Sequence, residues 1–164
     1  MPVLSRSATI DAPAERVFAY VDDIRNLARH MSERGSMLMM GSKLRLEIVT
    51  PESTGVGATY RYSGRVLGLI IDFSETVSRY APGREKAWRT IGEPRLLIID
   101  NYEMRVLVEP LPDARSELTI TIDYTLSPSL LWRTIGGMLA ASYSKWCLDS
   151  MIGGTLRDLQ RTAS

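Results

Sequence analysis

Histidine and cysteine are almost missing from this sequence, which has one of each, His30 and Cys147. A lone cysteine cannot close an internal disulfide, and one histidine with one cysteine does not make a nitrogen–sulfur metal site. The charges nearly cancel, at a formal +1, so no polyanionic partner is demanded. The basic residues, most of them arginines, are scattered rather than clustered, and nucleic-acid binding is not expected. No apolar run approaches the length of a membrane span, and residues 1–7 lack the apolar centre of a signal peptide. A cytoplasmic protein is expected. Also missing are a Gly-x-Ser-x-Gly nucleophile elbow, a phosphate loop and a dinucleotide fingerprint. No metal loop is visible among the acidic residues. The expectation is therefore no metal, no cofactor and no ready-made catalytic motif.

What the sequence does have is the composition of a globular protein, 45% hydrophobic and 24% charged over 164 residues, which predicts one domain, 1–164, with a real core. The longest regular stretch is the last. Ser127 is a candidate N-cap and Pro128 suits a first helical turn. From there to 162 no proline interrupts the pattern. Ile135, Leu139, Tyr143 and Trp146 fall on one side at helical spacing, while Cys147, Leu148 and Met151 lie on another. This all-round apolarity predicts that the second side meets the N-terminal helices or a second copy, so a homodimer is one expected partner. Cys147 reads as a small buried hydrophobe. The pairs Gly136-Gly137 and Gly153-Gly154 lie inside this helix, where each glycine costs about 1 kcal/mol relative to alanine. Close packing or a kink would offset that cost.

Ahead of this helix the chain predicts a strand over 3–11, then a helix from Ala12-Pro13-Ala14-Glu15 with Asp11 as its cap. Asp22-Asp23 restarts a second short helix through Ile24, Leu27 and Met31. The run Met37-Leu38-Met39-Met40 is either core filler or the adaptable rim of an apolar pocket. From Lys43 the period changes to two. Strands are predicted around Leu44, Leu46 and Ile48; Tyr60, Tyr62 and Val66; Ile71, Phe73, Glu75 and Val77; the 86–91 segment with Trp88; Tyr102, Met104, Val106 and Val108; and Leu118, Ile120, Ile122 and Tyr124. Short turns between them predict antiparallel neighbours over 43–126. The fold class is α+β: a curved antiparallel sheet of six to seven strands around one long helix, with two short helices after the first strand.

One residue breaks the inward pattern. Glu75 shares a face with Ile71, Phe73 and Val77. A bulge or a strand end could turn it to solvent, or an arginine could pair it. Otherwise it is a desolvated carboxylate, a polar anchor or general acid/base in an apolar cavity. Tyr60, Tyr62, Tyr102 and Tyr124 offer hydroxyls on the same predicted face.

The order of these signals resembles a known family. The stretch Ile10-Asp11-Ala12-Pro13-Ala14-Glu15-Arg16-Val17-Phe18, then Val21-Asp22-Asp23, Gly55-Val56-Gly57-Ala58, Tyr80-Ala81-Pro82-Gly83-Arg84 before Trp88, and the terminal helix are similar to the helix-grip superfamily. That superfamily includes START domains, birch-pollen-allergen-like proteins and the polyketide cyclase/dehydrase-like SRPBCC proteins. The resemblance covers essentially the whole chain. It departs at His30-Met31, where many relatives place a tryptophan. With one histidine, the metal-dependent ring-hydroxylating branch is excluded. The resemblance implies a cavity between sheet and terminal helix for a hydrophobic or amphipathic small molecule. Tyr60, Tyr62, Phe73, Glu75, Trp88, Tyr102, Met104 and Tyr124 are expected to line it from the sheet, with Leu139, Tyr143 and Trp146 from the helix. Glu75 is the candidate catalytic residue should the protein be a polyketide cyclase or dehydrase acting on an aromatic precursor. An interaction or regulatory module is the third reading.

Overall fold

The computed structural model describes residues 2–29, 43–66, 68–96, 99–126 and 130–161, with 43 and 130–136 described by their backbone. Met31, His30 and the Met37–Met40 run lie outside the described residues, as do Ser127 and Pro128. Strand β1 spans Val3–Ile10, followed by helices α1, Ala14–Asp22, and α2, Ile24–Leu27. Six strands come next: β2 Lys43–Ile48, β3 Thr59–Val66, β4 Leu69–Ala81, β5 Glu85–Arg95, β6 Ile99–Leu111 and β7 Arg115–Leu126. Helix α3, Leu130–Arg161, follows.

The expected cap of α1 is corrected. Pro13, not Asp11, is its N-cap, with no side chain closing the end; the Pro13 carbonyl accepts from Arg16 and Val17 at 3.0 and 3.1 Å. A proline there gives up an N–H that the first turn would leave unpaired in any case. Asp23 does cap α2, accepting from the Arg25 backbone at 3.0 Å.

The strands form one seven-stranded sheet in the order β1-β7-β6-β5-β4-β3-β2. Every pairing among the described residues is antiparallel. Alternation does what period two requires: in β7, Leu118, Ile120, Ile122 and Tyr124 are buried while their neighbours are half-exposed. On the outer face, Ser7 and Thr119 share a hydrogen bond of 2.8 Å, and Ser5 and Thr121 one of 3.0 Å. Register shifts fall in the β4–β5 pairing between Asp72 and Ser74 and between Val77 and Arg79, on either side of Glu75. Such bulges bend a strand and curl the sheet. Among the described residues the β5–β6 pairing runs from Glu85↔Leu107 to Arg89↔Glu103. Past that point β5 continues to Arg95 beside β4, and Pro94 lies on this stretch, outside the described β5–β6 pairing.

Helix α3 packs on β1 and β7, and α1 and α2 rest against it. Its buried stripe is Ala140, Ser144, Leu148, Ile152, Thr155 and Leu159, a spacing of three or four residues. The helix runs unbroken through both glycine pairs. A Cβ added at Gly137, Gly153 or Gly154 would meet nothing within 4 Å, so close packing does not account for these glycines.

Candidate functional site

The inner face of the sheet carries a cluster built around Glu75. The side chain sits mid-strand in β4, paired with Tyr60 of β3 and Thr90 of β5, and is 2% exposed. Neither the bulges nor the strand ends turn it outward, and it makes no salt bridge among the described residues. Tyr102 reaches over β5 from β6 and donates its hydroxyl to Glu75 Oε1. The Tyr102 backbone is held in turn by Thr90, whose Oγ1 accepts its N–H at 3.2 Å. The position where β5 and β6 part is thus pinned by a side chain rather than by ladder bonds.

Burial pushes the Glu75 carboxyl up from 4.5 to about 7, partly opposed by Tyr102, Trp88, Lys86 and Tyr62. Trp88 and Tyr62 bear on the carboxyl as donors, yet neither reaches Oε2 with hydrogen-bond geometry, and Oε2 accepts from no described residue. Phe73 stacks on Tyr62 at 4.8 Å between ring centres and meets Tyr102 edge-on at 6.2 Å. The carboxyl therefore sits among aromatic rings, with the Tyr102 hydroxyl bonded to it and the Tyr62 and Trp88 donors close by. From α3, Tyr143 bears on the Tyr102 hydroxyl and raises its pKa further, behind burial, Glu75 and Tyr62.

Most of the residues expected to line a cavity are gathered here. Tyr62, Phe73, Glu75, Trp88, Met104 and Tyr124 are buried, and Tyr102 is half-buried. Tyr143 and Trp146 are partly buried, with rings 5.8 Å apart, and pack on the core. Leu139 is a correction. It is 43% exposed, because the face α3 turns inward is centred on its neighbour Ala140, and successive residues on a helix point about 100° apart. Cys147 is buried and its thiol is pushed up to about 12, which leaves it protonated and unreactive.

Tyr60 faces inward too, but its hydroxyl is committed elsewhere. It donates to the Ser53 carbonyl at 2.6 Å and accepts from Lys86 Nζ at 3.2 Å. Lys86 is the residue that sequence reasoning missed. It is fully buried, lies 3.2 Å from Asp22 Oδ1 and donates to the Asp22 carbonyl at 2.6 Å. That carbonyl is in the last turn of α1, where main-chain acceptors lack helical partners and a cation is favoured. Tyr80 completes the node, donating to Asp22 Oδ2 at 2.7 Å. The signal was present: Lys86 lies two residues before Trp88, hence on its face.

No group of three or more histidine, cysteine or acidic side chains suited to a metal occurs among the described residues, and none of their helices is long and apolar enough to cross a membrane.

Solved structures show the same architecture. The Zhui aromatase/cyclase from Streptomyces sp. R1128 superposes with a TM-score of 0.73 at 16% identity, over 99% of this chain and 96% of that one. A START superfamily protein from Mycobacterium smegmatis gives 0.64 at 14% identity, over 96% and 98% of the two chains. A conserved protein from Geobacillus kaustophilus gives 0.68 at 14% identity, over 98% and 97%. No curated protein matches the sequence. The family described as "Polyketide cyclase / dehydrase and lipid transport" matches residues 1–153. With that match over nearly the whole chain, and with a curved antiparallel sheet gripping one long helix, the protein belongs to the polyketide cyclase/dehydrase and lipid transport family and has the helix-grip fold.

Proposed function

We propose that the protein binds a hydrophobic or amphipathic small molecule between the inner face of the sheet and α3, with Glu75 as its polar anchor. The observation that carries this reading is a carboxyl 2% exposed, set among aromatic rings, with no salt bridge among the described residues. An uncompensated buried carboxylate opposes folding, and such groups cluster where a ligand or a reaction uses them. Tyr62, Phe73, Tyr102, Trp88 and Met104 form the wall around it; Tyr143 approaches from the helix side. The partner is a small molecule; a second copy of the chain is a further candidate partner. Trp88 makes the test direct. In a variant with Trp132 and Trp146 changed to phenylalanine, a neutral apolar fluorophore should quench Trp88 saturably. Failure of every hydrophobic probe to saturate would remove the reading.

A specific observation favours a second reading. The Glu75 carboxyl exchanges its proton near pH 7 and already shares a hydrogen bond with Tyr102, which is the poise required of a general acid/base. A polyketide cyclase or dehydrase acting on an aromatic precursor would use the walls to fold the substrate and Glu75 to move a proton. Glu75→Gln separates the two. Loss of turnover with KM unchanged marks the enzyme; weakened affinity without any turnover to lose marks the binder.

A further inference from the structure

The polar end of this site has a direction. Glu75 Oε1 accepts a hydrogen bond from the Tyr102 hydroxyl, whereas Oε2, also buried, accepts from no described residue. The groups that bear on the carboxyl are the phenols of Tyr102 and Tyr62, the indole of Trp88 and the ammonium of Lys86. An indole N–H and an ammonium can only donate, and a phenol beside a carboxyl donates. Every neighbour therefore favours a carboxyl oxygen that accepts. The carboxylate has more lone pairs than the described residues fill, and both of those on Oε2 are open.

Resting on the binding reading above, we infer that the ligand of this site presents a hydrogen-bond donor, a hydroxyl or an amine, to Glu75 Oε2, and that molecules whose buried end is a carboxylate are turned away. The ligand's apolar skeleton runs along the Phe73 and Tyr62 rings. A donor satisfies a buried acceptor that otherwise carries its full desolvation cost. A carboxylate placed there sets like charges together where screening is weakest.

The test is a set of probes on one skeleton: methylnaphthalene, naphthylmethanol, naphthylmethylamine and naphthoate, titrated calorimetrically into the whole protein at about pH 8, where the Glu75 carboxyl is mostly ionised. The alcohol and the amine should bind about tenfold or more tighter than the hydrocarbon, the scale of one hydrogen bond to a charged group. Naphthoate should bind about tenfold or more weaker than the alcohol. In Glu75→Gln the amine's advantage should vanish and naphthoate should recover. Naphthoate binding the parent as tightly as the alcohol, or an amine preference surviving in Glu75→Gln, overturns the inference. Should Glu75→Gln fail to fold by circular dichroism, Tyr102→Phe replaces it. That change frees Oε1 as well, so the amine's preference over naphthoate must persist or grow, and its loss overturns the inference. If the hydrocarbon binds without any preference among the others, only the donor selectivity falls. If none of the four binds the parent, the binding reading falls and takes the inference with it.

Discussion

Replacing Glu75 with glutamine should make the protein more stable, and by an amount that depends on pH. In the fold the carboxyl keeps its proton until about pH 7; in the unfolded chain it releases it near 4.5. Between those limits the folded state binds more protons than the unfolded one, so this group's contribution to stability falls as pH rises through the window and is flat above it. At about 1.4 kcal/mol per pH unit, the full cost above the window is about 3 kcal/mol. Glutamine keeps the shape and an acceptor for Tyr102 but cannot ionise. Urea denaturation of parent and Glu75→Gln at about pH 5 and pH 8 should therefore show a stability difference in favour of the variant that widens by about 2.5 kcal/mol. Taking the difference cancels every group the two proteins share. A difference that stays constant would refute the reasoning. It would mean that Tyr102, Trp88 and Lys86 solvate the carboxylate well enough to keep it ionised in the fold, and Glu75 would then be a satisfied structural residue.

Other perturbations test the frame around the site. Lys86→Met should cost about 3 kcal/mol, because it leaves Asp22 facing the interior without its cation; adding Asp22→Asn should recover much of it in urea melts, and no recovery would mean the lysine stem matters more than the charge. Ala114→Gly should raise the melting temperature: Asp113 and Ala114 both have positive φ, 62° and 55°, in the β6–β7 turn, where a Cβ costs about 1–2 kcal/mol, partly offset by the freedom glycine gains on unfolding. Gly153→Ala and Gly154→Ala should each add up to about 1 kcal/mol, since the helix is continuous and the space is open; a loss in thermal melts would show that α3 needs those glycines for a motion or a contact.

The sheet was legible in the sequence because its two faces differ so sharply. Leu118, Ile120, Ile122 and Tyr124 alternate with Thr119, Thr121 and Asp123, and one pattern of that kind admits one register. Glu75 was legible for the same reason, as the single charge on a row of Ile71, Phe73 and Val77. Lys86 was passed over, although it shares the face of Trp88, because a lysine just after a turn reads as solvated; its burial is explained by Asp22 and Tyr60, which the fold brings to it. Leu139 failed by one position. On a helix with apolar residues all round, spacing alone does not choose between the Leu139–Tyr143 side and the Ala140–Ser144–Leu148 side. The small residues of the latter, which let helix and sheet approach closely, carry no hydrophobic signal. The reach of Tyr102 across β5 was also hidden, since it depends on where the β5–β6 pairing stops.

The position of β1 sets the order in which the molecule is assembled. Val3 pairs with Asp123 and Ile10 with Ser116, so once β1 has been made, more than a hundred further residues must follow before β7, its partner among the described strands, is available. Until then Leu4, Ala8 and Ile10, which pack into the core, have no sheet edge to join. Closing a loop of that length is slow. The hairpins β2 to β7 join strands that follow one another in the chain, and each can form as it emerges. Nascent chains arrested before residue 116 should therefore leave the N-terminal segment open to a protease while the middle strands are already protected, and release of β7 should bury it.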